Sequence, residues 1–170
     1  MKKNFERFVK IIAILVLGVF AISCGKGGKG SAEPGSIEAI KKAGKIRIGV
    51  FGDKPPFGFV DENGKNQGYD IYLAKRLAKD LLGDENKIEF ITLEAANRVE
   101  YLLSNKVDII LANFTVTDER KQKVDFAKPY MKVSLGIVSP EGAPIKDVKE
   151  LKGKKLIVNK GTTAEIYFTK

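Results

Sequence analysis

Arg120 and the two threonines before it are the residues of this sequence best suited to hold a small anion. A guanidinium presents parallel N–H groups that match the two oxygens of a carboxylate. The hydroxyl of Thr115 comes five residues earlier in the chain, and Thr117 is placed to cap a short helical turn that carries Arg120. Arg120 could also be an ordinary surface residue of the charged turn Asp118–Lys121. Residue types and spacing leave both interpretations open.

Several other classes of chemistry are excluded by composition. The 170 residues contain no histidine and one cysteine, Cys24. A histidine-based metal site, a Ser-His-Asp triad, a Cys-His pair and a disulfide framework are therefore excluded, and no metal or cofactor is expected. The formal net charge is +9, from 30 Lys and Arg against 21 Asp and Glu. No basic stripe with interleaved aromatic residues occurs after the N-terminal region, so nucleic acid is not an expected partner.

The N-terminal residues have the composition of a bacterial secretion signal. A basic start precedes an uninterrupted apolar run over residues 11–22, which is too short for a membrane-spanning helix, since that needs about 20 apolar residues. The run ends in AISCG (21–25), which resembles the lipobox of bacterial lipoproteins. Cys24 is therefore predicted to become the lipid-bearing N-terminus after removal of residues 1–23, and residues 24–35 to form a flexible tether. The alternative is an ordinary secretory signal in which the cysteine is incidental.

Strand and helix patterns alternate from residue 36 onward. Apolar spacing of three and four residues predicts helices over residues 37–43, 70–81 (with Asp70 as its cap), 98–104, 145–151 and from 164. Strands are predicted over residues 46–50, 88–92, 107–112, 134–139 and 155–158, with a small hairpin from Phe59 to Gln67. Residues 53–58 are predicted to be a loop, because their two adjacent prolines lack N–H donors. The nearly all-apolar run 107–112 suits a strand covered on both faces, as in the parallel sheet of an α/β domain.

Short motifs in a fixed order identify a family that the sequence resembles. They are IRIGV (46–50) with PF (56–57), GYD (68–70), VDII (107–110), TVTDER (115–120) with VDFAKPY (124–130), and GTT (161–163). Together they resemble the polar amino-acid solute-binding proteins of ABC importers, over residues 36–170, and EAANR (94–98) is most similar to the cysteine and cystine binders. The resemblance implies the periplasmic-binding-protein type 2 fold, in which two α/β lobes joined by crossover strands close on one ligand. The first lobe is expected over residues 36–133, and the crossover with the start of an incomplete second lobe over 134–170.

The resemblance also implies which residues bind the ligand. They are Phe51, Phe57, Glu94, Arg98, Asn113, Thr115, Arg120, Thr162 and Thr163. Arg120 would pair with the α-carboxylate of an amino acid, assisted by the hydroxyl of Thr115 and by the main chain of residues 113–115. The loop 161–163 would hold the same carboxylate from the other lobe. Simple capping of the following helix by a threonine is an alternative role for this loop, and both roles are compatible.

Three of the remaining candidates, Phe57, Arg98 and Glu94, have two interpretations each. Phe51 and Phe57 would wall the pocket, although Phe57 suits a core position equally well. Arg98 and Glu94 would contact the ligand side chain or lie in solvent. Tyr130 is expected to pack near the hinge. The carboxylate that the family uses for the ligand ammonium has no counterpart among these 170 residues.

The expected function is that of an extracytoplasmic solute-binding component of an ABC importer. It would capture a small polar or sulfur-containing L-amino acid, similar to cysteine or cystine, and deliver it to the membrane permease. It would remain at the periplasm or cell surface through acylated Cys24 in the lipid bilayer, and it needs no catalysis. Two alternatives remain: the sensing ectodomain of a receptor, which requires a spanning helix after the domain, and a cyclohexadienyl dehydratase of the same fold with Glu94 as its acid.

The lipid anchor gives a first testable prediction. Mass spectrometry of the mature N-terminus, after expression in a bacterium, is expected to show cleavage before Cys24 and lipid attached to it. Because one acyl chain binds membranes only marginally whereas two or more anchor stably, the mature protein should fractionate with membranes. An unmodified Cys24, or cleavage at another bond, contradicts this prediction.

Overall fold

The computed structural model describes residues 32–169. The predicted signal peptide, Cys24 and most of the predicted tether lie outside the described residues. The helices are α1 (Ile37–Ala43), α2 (Tyr69–Leu82), α3 (Arg98–Leu103), α4 (Asp118–Lys121) and α5 (Thr163–Thr169). The strands are β1 (Ile46–Val50), β2 (Asp53–Lys54), β3 (Gly58–Val60), β4 (Asn66–Gln67), β5 (Ile88–Thr92) and β6 (Ile109–Leu111). Short 3₁₀ turns cover Ala95–Asn97 and Val148–Leu151.

A three-stranded parallel sheet of order β5-β1-β6 forms the centre of the structure. Its middle strand places Ile46, Ile48 and Val50 fully out of solvent. One face of α2 covers these side chains, since Ile71 and Ala74 belong to the same hydrophobic cluster. This arrangement confirms the expected α/β fold class, in which strands buried on both faces are nearly all apolar.

The two helices that flank β1 in sequence end where their sequence signals indicate. Ser36 caps α1 through its hydroxyl, which accepts a hydrogen bond from the Ala39 N–H at 3.2 Å. Gly44 ends α1 and Gly83 ends α2, both in the left-handed conformation that glycine adopts without steric cost. The predicted hairpin is also present, as β3 paired with β4.

Other predicted boundaries are wrong. Residues 53–54 form strand β2, which pairs with β3, because the prolines begin only after it. Strand β6 is shorter than the predicted 107–112, and the predicted helix 145–151 is reduced to the 3₁₀ turn Val148–Leu151. Within the described residues, neither 134–139 nor 155–158 forms a strand. A strand requires a hydrogen-bonding neighbour as well as apolar residues, and none of the described strands pairs with these segments.

Asp70 has a different role from the predicted helix cap. Gly68 occupies the cap position, and Asp70 lies in the first turn of α2, fully buried. The hydroxyl of Tyr130 donates to Asp70 Oδ1 at 2.9 Å, which ties the segment around residue 130 to α2. Burial raises the pKa of Asp70, against the opposing effects of the Tyr130 hydroxyl and of the Asn113 N–H. The carboxylate form is therefore disfavoured by folding.

The raised pKa of Asp70 predicts a pH-dependent stability difference. Asp70→Asn retains an oxygen acceptor for Tyr130 and removes the buried charge. Because the native pKa of Asp70 is raised, its carboxyl group contributes least to stability above that pKa. The Asp70→Asn variant is therefore expected to become more stable relative to the parent as the pH rises from 4 to 8, so the difference in their free energies of unfolding should grow in its favour. Urea denaturation at several pH values measures this difference.

Asp80→Asn is the matched control, because Asp80 lies exposed on the same helix beside Arg76. It should show no comparable trend. A stability difference between the parent and Asp70→Asn that stays constant with pH would show that folding does not perturb this carboxyl group.

Candidate functional site

The candidate site lies where the three parallel strands end. Phe51 follows β1 and Ala112 follows β6, and both belong to a second hydrophobic cluster with Leu93 after β5. Because the carboxyl ends of parallel strands meet at one edge of a sheet, side chains that are distant in sequence come together here. The loops after β5 and β6 lead into α3 and α4, which carry the two arginines of the site.

Arg120 is buried, with 6% of its surface exposed. Thr117 caps α4 by accepting a hydrogen bond from the Arg120 N–H at 3.2 Å, which confirms the predicted cap. The guanidinium Nη1 donates to the Thr115 carbonyl at 2.7 Å, and Nη2 donates to the Gly161 carbonyl at 2.9 Å. The interpretation of Arg120 as a surface residue is therefore wrong.

Arg98 is also buried, with 3% of its surface exposed, so the solvent interpretation of this residue is wrong as well. Its guanidinium donates to four main-chain carbonyls. The acceptors are those of Ala95 at 3.0 Å, Ala112 at 3.0 Å, Asn113 at 3.1 Å and Gly161 at 2.8 Å. These contacts leave Arg98 fewer donors for a ligand than Arg120 has.

Both guanidiniums lie over the ring of Phe114. The distance from the guanidinium carbon to the ring centre is 4.8 Å for Arg98 and 4.6 Å for Arg120. Within residues 32–169 neither forms an ion pair with a carboxylate. Burial lowers the pKa of Arg98 to about 10, with a further contribution from the charge of Arg120. Burial also lowers the pKa of Arg120, which Glu119 partly offsets. Among the described residues, these two neighbouring positive charges are compensated by neutral carbonyl groups, by the rings of Phe114 and Phe51, and in part by the nearby charge of Glu119.

The loop at residues 161–163 contacts this site through its main chain. The hydroxyl of Thr162 accepts a hydrogen bond from the Glu165 N–H at 3.2 Å, which confirms that Thr162 caps α5. Thr163 is the first residue of that helix. The Gly161 N–H donates to the Glu165 carboxylate at 2.6 Å. The predicted contact of this loop with a ligand carboxylate stays a prediction.

Asn113 and Thr115 lie beside the arginines at the end of β6. Asn113 has a positive φ of 45°, and its carbonyl accepts from Arg98 and from the Thr115 N–H, the latter at 3.1 Å. Its buried side-chain Oδ1 has no hydrogen-bond partner among the described residues. Thr115 is exposed, so its hydroxyl is accessible to a molecule that enters the site.

A cavity of about 490 Å³ lies between the end of β1 and the 3₁₀ turn Ala95–Asn97, next to Arg98. Its lining residues are Phe51, Asp53, Lys54, Glu94, Ala95, Ala96, Asn97, Asn159 and Lys160. The guanidinium of Arg98 lies 5.6 Å from the centre of the Phe51 ring, which connects the cavity to the arginine pair. Phe51 and Glu94 thus line one cavity, and their contact with a ligand stays a prediction. Phe57 does not line this cavity.

Sequence reasoning missed two participants in the site. Phe114 underlies both guanidiniums, and its position directly before the motif TVTDER (115–120) is the signal that could have indicated it. The Gly161 carbonyl is shared by both arginines. Sequence carries no signal for that contact, because any residue has a carbonyl group.

Comparison with known proteins identifies the family of this chain. Residues 46–167 match the model of the bacterial extracellular solute-binding proteins, family 3. A glutamine-binding protein of an ABC transporter from Bacillus subtilis is 37% identical over 166 residues, which cover 91% of this chain and 61% of that protein. The L-cystine-binding protein of Escherichia coli is 32% identical over 154 residues, which cover 88% of this chain and 57% of that protein.

A solved structure agrees with these matches. The solute receptor for L-cysteine of Neisseria gonorrhoeae has a TM-score of 0.77 and 66% identity, over 79% of this chain and 55% of that one. The chain therefore spans between half and two thirds of the length of these relatives, which are binding proteins rather than enzymes. Among the described residues, no helix is long and apolar enough to cross a membrane. The match over most of its length shows that this chain belongs to family 3 of the bacterial extracellular solute-binding proteins, with the type 2 periplasmic-binding-protein fold.

Proposed function

We propose that the protein binds a free L-amino acid through its α-carboxylate, as the solute-binding component of an ABC importer. The observation that carries this proposal is the pair of buried guanidiniums without a carboxylate partner in the described residues. Removing a charge from water costs several kcal/mol unless an opposite charge compensates it. A ligand carboxylate would supply that charge, and charge-assisted hydrogen bonds are stronger than neutral ones.

Arg120 is the better candidate to contact the carboxylate directly. Its guanidinium has two main-chain acceptors, whereas that of Arg98 has four. The hydroxyl of Thr115 and the main chain near Thr162 lie next to these acceptors and would supply further donors. Arg98 would then contribute positive charge to the site rather than a direct contact.

The cavity beside the arginines supports a small polar or sulfur-containing side chain. Phe51 forms an apolar wall, and the polar groups of Asn97 and Asn159 lie along the same cavity. Glu94 lines the cavity and is exposed, so it would contact only the more distant part of a ligand. The similarity to an L-cysteine receptor at 66% identity favours cysteine or cystine over the other amino acids.

Delivery to a permease and anchoring by Cys24 complete the proposal. Delivery rests on the family, because binding proteins of ABC transporters pass their solute to a membrane permease. Anchoring rests on the segment AISCG (21–25), which resembles a lipobox. The dehydratase and receptor alternatives have no specific support in the described residues. Incubation with prephenate, followed by absorbance, would detect dehydratase activity.

The contact between Arg120 and a carboxylate predicts a large loss of affinity on its removal. Truncating one partner of a buried, hydrogen-bonded charge pair costs roughly 2–5 kcal/mol. Arg120→Ala should therefore weaken amino-acid binding by about 30-fold to a few thousand-fold. Arg120→Lys should recover only part of the affinity, because an ammonium cannot reproduce the two-pronged geometry. Calorimetric titration of the parent and both variants measures these changes.

The exposed residue Arg76 gives the matched control, and Arg76→Ala should bind like the parent. Because Arg120 is buried and bonded to the main chain, its removal is also expected to lower the melting temperature without ligand. The lysine variant separates the two effects, since it keeps a charge and a long side chain. An affinity of Arg120→Ala within about threefold of the parent would contradict the proposed contact.

The proposed specificity predicts the outcome of a thermal-shift panel of the twenty common L-amino acids and L-cystine. Binding to the folded state stabilises it by about 2.7 kcal/mol when the ligand is at a hundred times its dissociation constant. The largest shift is expected for cysteine or cystine. Sugars, peptides and metal ions are tested in a second panel, and a response only to members of that panel would rule out amino-acid binding.

A further inference from the structure

The main chain at Gly161 approaches the site more closely than any other residue type would allow. A Cβ atom at this position would lie 2.5 Å from Ala96 Cα and 2.8 Å from the Ala95 carbonyl. Gly161 also has a positive φ of 75°. The segment 159–162 is therefore packed directly against the 3₁₀ turn Ala95–Asn97, with no side chain between them.

Arg98 joins the three segments that meet at this contact. Its Nε donates to the turn Ala95–Asn97, its Nη1 to the end of β6, and its Nη2 to Gly161. The partners in the turn and β6 lie within 15 residues of Arg98, whereas Gly161 is 63 residues away. The guanidinium thus links the carboxyl edge of the sheet to the segment that precedes α5.

The shared carbonyl connects Arg98 to Arg120. Both arginines donate to the Gly161 oxygen, at 2.8 and 2.9 Å. Displacing Gly161 would therefore remove a partner from Arg120 as well as from Arg98. A carboxylate near Arg120 would also relieve the repulsion between the two guanidiniums, so ligand binding and retention of this contact should stabilise each other.

We propose that Arg98 is a positioning residue that holds Gly161 against the turn Ala95–Asn97 and thereby keeps the site closed around a ligand bound to Arg120. The effect of Arg98 on ligand retention rests on the proposed function. The effect of Arg98 on the position of Gly161 does not. Arg98 acts through the main chain and does not itself read the ligand side chain. If only a fraction of the molecules keeps the closed contact, the apparent association constant is the intrinsic one multiplied by that fraction.

The test compares Arg98→Met, Arg98→Lys and Gly161→Ala with the parent in the full chain. L-cysteine is the probe, titrated under reducing conditions, and L-cystine is titrated separately without reductant. Arg98→Met should weaken binding by about tenfold or more, mainly through faster dissociation in stopped-flow experiments, because the contact at Gly161 retains a ligand that has already entered. Arg98→Lys should recover part of the loss, and Gly161→Ala should reproduce the faster dissociation.

Two matched controls separate this effect from general destabilisation. Arg76→Met removes an exposed arginine. Gly153→Ala introduces a Cβ at the same positive φ of 75°, but with nothing within 4 Å of it. Both controls should dissociate like the parent.

Hydrogen exchange of the ligand-free protein makes the test independent of the proposed function. Arg98→Met should accelerate amide exchange in residues 159–163, whereas Arg76→Met should not. If the parent binds neither probe and exchange is still accelerated, the hold on Gly161 is supported and the proposed ligand is wrong. If Arg98→Met does not fold, Arg98→Lys and Gly161→Ala decide the question. Unchanged exchange in the folded Arg98 variants, or dissociation of Gly161→Ala equal to that of Gly153→Ala, overturns the proposal.

Discussion

The burial of two positive charges side by side is the constraint on which the arrangement of this site depends. Arg98 and Arg120 are almost entirely out of solvent and share the ring of Phe114 and the carbonyl of Gly161. Buried charges require compensation, and here the protein supplies neutral carbonyl oxygens rather than a carboxylate. The positive charge of the pair is therefore suited to a small anion, and the hydrogen bonds to the main chain hold both guanidiniums in place.

The parallel sheet makes this arrangement possible. Strand β1 lies between β5 and β6, so the loops after the two outer strands approach each other at the same edge. Arg47 reinforces the pairing, because its main-chain N–H donates to the Asp108 carboxylate at 2.8 Å and its guanidinium bonds the same group. The hydrogen bond from the Tyr130 hydroxyl to the buried Asp70 ties the chain after β6 back to α2. The site is thus fixed to the core at several points, as binding geometry requires.

Local sequence signals predicted the parts of the structure that local interactions determine. The cap at Ser36, the glycine that ends α1, strand β1 and the cap at Thr117 all follow from residue type and spacing over a few positions. The predicted boundaries of strands were wrong where strand formation depends on pairing with another strand. Residues 134–139 have a strand-like composition, but Leu135 and Val138 are exposed and no described strand pairs with them. Asp70 was predicted to be a helix cap because it stands at the start of the apolar helical pattern. Its hydrogen bond with Tyr130, 60 residues later, leaves no signal in the sequence of the helix.

The candidate site was predictable to the same extent. The motif around Arg120 indicated the residue, and the structure added its burial and its partners. The contacts of Arg98 could not be foreseen, since its acceptors are main-chain carbonyls that any sequence would provide. Long-range contacts between a side chain and the main chain leave no pattern in residue type, which is why Gly161 was noted only as part of a loop.

Calorimetric titration with an amino acid and with its methyl ester tests the central claim from the side of the ligand. At mildly acidic pH, where the α-amine of both molecules is protonated, L-cysteine and L-cysteine methyl ester differ by the carboxylate charge and share the ammonium and the side chain. If the arginine pair recognises the carboxylate, the ester should bind at least about 30-fold more weakly than the acid. Binding of the ester within about threefold of the acid would show that the buried guanidiniums serve the fold alone.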